Sequence, residues 1–161
     1  MTAPPAALPQ ALVEEFDELC THYAERRAAL IPALHRCQEE LGGWLSPETL
    51  EAAAAYFELE PVEVYAVASF YPMFYLQPVG KHVVGVCRNL SCDLRGAQDI
   101  VARASQVTGA PVGANSDDGG FHLEVLECQG GCANAPMMVV DGVYHEDLAP
   151  DDVDRILGDL S

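Results

Sequence analysis

The chain has 161 residues and 17.3 kDa, with 8 Lys and Arg against 25 Asp and Glu, a formal charge of −17 and a pI near 4.3. Residues 1–80 hold 12 acids and 3 bases and residues 81–161 hold 13 and 5, so neither half offers a basic patch to grip phosphates, and nucleic acid is excluded as a partner. With 50% apolar and 20% charged residues the chain is too apolar to be disordered, and its length suits one domain or two small ones.

Residues 1–10 read as a Pro/Ala-rich tail with no basic start and no long apolar run behind it, so neither a secretory signal nor a transit peptide is expected. Leu12, Phe16, Leu19 and Tyr23 recur at helical spacing, as do Leu30, Leu34, Cys37 and Leu41, which predicts two amphipathic helices. Pro32 should kink the second or mark its first turn, and Gly42-Gly43 should end it. Ser46-Pro47-Glu48 is a helix start, Ser as cap and Pro at the first helical position, with Leu50, Ala54 and Phe57 on the buried stripe. Pro61 opens a fourth helix bearing Val64, Val67, Ala68 and Tyr71, and the helical bundle is expected to run to about Tyr75. The most apolar stretch, Ala66 to Leu76, is too short to cross a bilayer and contains Ser69 and Pro72, so no direct membrane insertion is expected.

Pro78 and Gly80 then break the chain, and a domain boundary is placed there, giving an N-terminal helical domain over 1–78 and a second domain over 79–161. His82 to Cys87 is a near-continuous apolar run, as in a buried strand. Leu94, Ala97, Val101 and Ala104 predict a helix, Asn115 to Gly120 a polar loop, and Phe121, Leu123 and Val125 a second strand. Met137 to Val140 and Val143 to His145 flank Asp141-Gly142, a type I′ hairpin signal. Pro150-Asp151-Asp152 starts a last helix that buries Val153, Ile156, Leu157 and Leu160. The class is α+β, a helical bundle followed by an α/β domain whose order of strand, helix, strand, hairpin and helix is compatible with a thioredoxin-like fold.

Two cysteine pairs stand where predicted strands end: Cys87 and Cys92, a C-x4-C, and Cys128 and Cys132, a C-x3-C about 36 residues later. Loops at strand ends meet at one edge of a sheet, and without an export signal such cysteines are more often ligands, redox groups or plain core than disulfides. Four thiolates suit zinc or an iron–sulfur cluster. Zinc loops favour the tighter C-x2-C knuckle, so the spacing leans toward a two-iron cluster, with zinc and a redox thiol pair as alternatives. Arg95 stands where plant-type ferredoxins place a third Cys, and no His follows at ligand spacing as in a Rieske centre. Gly130 and Gly131 let the backbone approach bridging sulfides, and Cys92 is expected at a helix start whose free N–H groups point at sulfur.

These pairs, with Cys132-Ala133-Asn134-Ala135-Pro136-Met137, Tyr144-His145-Glu146-Asp147-Leu148 and, in the helical half, Ile31-Pro32, Leu34, Gln38, Gly43-Trp44-Leu45 and Val67-Ala68-Ser69-Phe70-Tyr71 with Phe74, Pro78 and Gly80, resemble the thioredoxin-like [2Fe–2S] ferredoxins. Within that family the likeness is to the E subunits of NADH:quinone oxidoreductase, respiratory complex I, and it covers nearly the whole chain. It implies one [2Fe–2S] cluster held by Cys87, Cys92, Cys128 and Cys132. It also implies an electron-carrying component of an oxidoreductase, cytoplasmic and peripheral to the inner membrane as part of a complex. The partners implied are a flavin-containing F subunit, which would hold FMN and the NAD site, and the iron–sulfur G subunit. The small diaphorase subunit of an NAD-linked hydrogenase or formate dehydrogenase looks like the same family. Gln129 departs from the family's frequent Leu beside Cys128.

The chain has no G-x-G-x-x-G fingerprint and no catalytic triad or carboxylate pair, so NADH chemistry is assigned to a partner. A reduced cluster adds charge to an already anionic protein, so a midpoint on the order of hundreds of millivolts below zero is expected, with Arg88 and Arg95 the nearest cations by sequence. Cys20 and Cys37 read as buried small hydrophobes, and the five His share no ligand spacing. Tyr65, Phe70, Tyr71, Phe74 and Tyr75 read as packing at the joint of the two halves. Pro136 stands before a strand, where thioredoxin folds carry a cis-proline.

Overall fold

A computed structural model of the chain describes residues 7–160. Residues 1–6 of the expected Pro/Ala tail lie outside the described residues, and its last residue, Gln10, already opens a helix. The chain divides into two compact units, one ending at Pro78 and the other starting at Val79.

The first unit contains α1 (Gln10–Cys20), a 3-10 turn (Arg26–Ala29), α2 (Leu30–Glu40), α3 (Pro47–Phe57) and α4 (Pro61–Phe70). Their apolar stripes supply one core that includes Leu12, Phe16, Leu34, Cys37, Leu50 and Val64. Pro32 sits in the first turn of α2, where its missing N–H costs nothing. Ser46 caps α3, its hydroxyl accepting from the Thr49 N–H at 3.1 Å. Tyr23 lies beyond the end of α1 and is exposed.

The helical stretch stops at Phe70 rather than near Tyr75. Pro72 bars its predecessor from helical geometry, and Tyr71 is accordingly extended, with φ −93° and ψ 117°. The chain that follows is held by the Gln38 side chain, which donates to the Met73 carbonyl at 2.9 Å and accepts from the Tyr75 N–H at 2.8 Å. The aromatic group expected to pack together does not act as one set. Phe74 enters the core of the helical unit, whereas Tyr65 and Phe70 are exposed, because they fall on the side of α4 away from Val64 and Ala68.

The second unit contains β1 (His82–Cys87), a short α5 (Leu90–Leu94), α6 (Ala97–Thr108), β2 (Ala114–Asn115), β3 (Phe121–Leu126), a 3-10 turn (Cys132–Asn134), β4 (Met138–Val140), β5 (Val143–His145) and α7 (Pro150–Gly158). The sheet order is β2-β3-β1-β4-β5. β1 is parallel to β3 and antiparallel to β4. Val84, Val86, Leu123, Met138 and Val140 from the sheet share a core with Ile100 and Ala104 of α6 and Val153 and Leu157 of α7. Leu94 is no part of the helix that buries Ala97 and Ala104: Gly96, left-handed at φ +90°, separates α5 from α6, and Leu94 is exposed. At the start of the stretch expected as loop, β2 adds a short antiparallel edge to β3. Asp141 and Gly142 both have positive φ, 49° and 80°, as a type I′ turn between β4 and β5 requires.

Candidate metal centre

The register of β1 and β3 positions the cysteines. The two strands run parallel with Cys87 opposite Leu126, so the chain leaves both at the same end of the sheet, toward Cys92 from one and Cys128 from the other. The Arg88 N–H donates to the Leu126 carbonyl at 2.9 Å, carrying the pairing one residue past the strand. On the other side of β1 the Cys87 N–H donates to the Met137 carbonyl at 3.2 Å. Met137 follows the Ala135-Pro136 peptide bond, which is cis. The loop from Cys128 to Pro136 therefore starts and ends against neighbours of the same strand.

All six cysteines are free thiols. Cys87 and Cys92 are 2% and 1% exposed and pack with Ala97, Ala135 and Met137, while Cys128 and Cys132 face solvent. The Cys87 thiol hydrogen-bonds that of Cys92, and Cys132 is close enough to act on Cys92 electrostatically. Burial, then the Cys87 hydrogen bond, pushes the Cys92 thiol up to about 11, against a backbone hydrogen bond from Met137 that favours the thiolate. Cys128 is placed by its backbone, two residues beyond the register partner of Cys87. Among the described residues no three His, Cys, Asp or Glu side chains are grouped tightly enough to hold a single metal ion.

One donor to sulfur comes from outside the helix start that the spacing pointed to. Cys92 is the third residue of five-residue α5, and two N–H groups of that helix are already engaged, Leu90 with Asn89 Oδ1 at 2.7 Å and Asp93 with the Asn89 carbonyl at 2.9 Å. The Met137 N–H, from the segment after the cis peptide, donates to the Cys92 thiol. The cations nearest by sequence are paired: Arg88 with Glu127 at 2.9 Å and Arg95 with Asp147 at 3.4 Å. Each pair joins the first cysteine loop to a carboxylate elsewhere, and both are well exposed, so the two arginines bring little net charge to the thiols. Gln129 turns back on its neighbour, its amide donating to the Cys128 carbonyl at 2.9 Å.

The remaining candidates lie elsewhere. Cys37 is fully buried in the helical core, which pushes its thiol up to about 12, and Cys20 packs partly against the same core. His82 bonds Asp141 at 2.6 Å at the opposite end of β1 from Cys87, and His35 lies against the Phe74 ring. No helix of the described residues is long and apolar enough to cross a membrane.

The sequence profile of the thioredoxin-like [2Fe-2S] ferredoxins matches residues 16–161. The chain belongs to that family. A [2Fe–2S] ferredoxin holds its two irons with four thiolates, two on each, and four free thiols in two pairs fit that demand in donor type and number. Relatives show the same resemblance over most of this chain. The NADH-quinone oxidoreductase E subunit of Rickettsia bellii (strain RML369-C) is 37% identical over 135 residues, 84% of this chain and 81% of its own. The corresponding E 2 subunit of Rhizobium meliloti (strain 1021) is 35% identical over 144 residues, 89% of this chain and 85% of its own. The mitochondrial NADH dehydrogenase [ubiquinone] flavoprotein 2 of Dictyostelium discoideum is 39% identical over 123 residues, and the match spans 50% of it. Among solved structures, an air-oxidized NAD+-reducing [NiFe]-hydrogenase shares the fold over 81% of this chain with a TM-score of 0.70 and 21% identity, the match spanning 22% of that chain.

Proposed function

We propose that this ferredoxin is the [2Fe–2S] electron-transfer subunit of the NADH-oxidising module of NADH:quinone oxidoreductase, with Cys87, Cys92, Cys128 and Cys132 as cluster ligands. The observation that carries the reading is the parallel register of β1 and β3, which opens both cysteine loops from one end of the sheet. The NADH-quinone oxidoreductase E subunits among its relatives support the parent complex. A bound cluster supplies one-electron transfer. The chain shields the Cys87 and Cys92 side from water, directs the Met137 N–H at Cys92, and leaves Cys128 and Cys132 exposed toward a partner. NADH and FMN belong to that partner, a flavin-containing F subunit, with the iron–sulfur G subunit beyond it. The complex is peripheral to the membrane on its cytoplasmic side.

Iron, zinc and acid-labile sulfide analysis of the anaerobically purified chain, with an EPR spectrum after dithionite reduction, tests this. About two irons and two sulfides per chain, with a rhombic S = 1/2 signal lost in Cys87→Ser or Cys128→Ser, is the expected result. One zinc and no sulfide after cluster reconstitution overturns it. Copurifying subunits separate complex I from the diaphorase of an NAD-linked hydrogenase or formate dehydrogenase.

A further inference from the structure

The second cysteine loop passes through Gly131, Cys132, Ala133 and Asn134, and it is gripped from outside by polar contacts from the segment after β5. The Asn134 side-chain amide donates to Glu146 Oε2 at 3.1 Å. The Asp147 N–H donates to the Asn134 carbonyl at 2.6 Å, with Asp147 held in a left-handed conformation at φ +51°. Inside the loop, the Asn134 N–H donates to the Gly131 carbonyl at 3.1 Å. The other carboxylate oxygen of Glu146 lies where a methyl group on Gly131 would come within 2.9 Å of it. The grip is anchored by the Leu148 N–H, which donates to the Pro136 carbonyl at 3.1 Å.

A loop that carries two exposed thiols and little apolar burial has few contacts to define its shape. Here the definition comes from one carboxylate and two backbone bonds on a strand-end segment that is distant in sequence. Asp147 extends the grip to the first loop, since its carboxylate meets Arg95 just after α5.

We propose that Glu146 is a positioning residue, which through Asn134 fixes the Gly131–Asn134 run so that Cys132 is presented to a [2Fe–2S] cluster in one geometry. The proposal rests on the functional reading above. Glu146 acts through the amide of Asn134. Its charge also stands beside the loop, so removing the charge alone shifts the cluster potential upward while leaving the grip in place, because a Gln oxygen accepts the same hydrogen bond.

The test uses the full chain with its cluster, as wild type, Glu146→Gln and Glu146→Ala. Cluster loss to a ferrous chelator is followed by visible absorbance, alongside EPR g-values and the midpoint potential. The expected result is a severalfold faster loss and a broadened or shifted EPR signal in Glu146→Ala, with near wild-type loss rate and line shape restored in Glu146→Gln and a less negative midpoint in both. Loss rates and EPR spectra alike in all three proteins overturn the proposal. Equal damage in Gln and Ala overturns the hydrogen-bond grip as its mechanism. A wild-type chain that binds no iron and sulfide overturns the functional reading itself, and is distinguished because it shows before any variant is compared.

Discussion

Gly130 and Gly131 sit side by side between Cys128 and Cys132 and resist substitution for opposite reasons. A Cβ on Gly131 would lie 2.5 Å from Met137 Sδ and 2.9 Å from Glu146 Oε1. The Glu146 carboxylate is the end of an exposed side chain and gives way, but Met137 is fully buried among Cys87, Cys92 and Ala135. Gly131 has φ −86°, which any residue adopts, so the main cost of Gly131→Ala is overpacking against Met137, about 1–3 kcal/mol, with any loosening of the Glu146 contact to Asn134 added to it. Gly130 has φ +79° and open space around the missing Cβ, so Gly130→Ala costs about 1–2 kcal/mol in backbone conformation alone. Asn separates the two, because it tolerates the left-handed region but still carries a Cβ. The assay is native: Cys92 is 1% exposed, so iodoacetamide reaches it only when the second unit opens. At about 1.4 kcal/mol per tenfold change, a cost of about 2 kcal/mol raises its alkylation rate in the cluster-free chain about thirtyfold. Gly130→Asn should recover most of the protection lost in Gly130→Ala, whereas Gly131→Asn should recover none. An alkylation rate in Gly131→Ala within about twofold of wild type, well under the factor expected from even the smallest overpacking cost, refutes the placement of Met137 between the loops.

Ser46→Ala removes the side-chain acceptor of the Thr49 N–H and should cost about 1 kcal/mol, read from denaturant unfolding by the fluorescence of Trp44, the single Trp of the chain. Cys37 is raised by burial from an ordinary value near 9 to about 12. Its folded form is therefore the protonated one, and its contribution to stability is complete below pH 9 and falls away as pH rises toward 12. Cys37→Ala should flatten that alkaline loss in the helical unit, and an unchanged alkaline profile would remove Cys37 as its cause. A redox titration of the bound cluster should give a midpoint on the order of hundreds of millivolts below zero, since the nearest arginines are already paired with Glu127 and Asp147; a positive midpoint would contradict this.

Features set by a few adjacent residues were legible in the chain. Ser46-Pro47 starts a helix and Asp141-Gly142 turns a hairpin because the cap and the positive φ values are properties of those side chains and their immediate backbone. Gly42-Gly43 ends α2 with both residues left-handed. The cysteine pairs, with the Cys132 to Met137 and Tyr144 to Leu148 stretches, marked the family without saying what the residues of those stretches do. Where two local signals competed the reading went astray: helical periodicity ran on past Phe70, although Pro72 had already forced Tyr71 out of the helix.

What stayed hidden depends on partners far along the chain. The non-helical turn after Phe70, held by the Gln38 side chain, carries Phe74 into the core, while Phe70 stays exposed at the end of α4, and periodicity alone weighs both as aromatic. The Met137 donor to Cys92 and the grip of Glu146 on Asn134 join residues with no common spacing. Cysteine identity and spacing are carried by the sequence, because a thiol's chemistry belongs to its side chain. That both cysteine loops leave one end of the sheet is not, because it rests on Cys87 lying opposite Leu126 across a parallel pair, and that register is fixed by backbone hydrogen bonds between residues far apart in the chain.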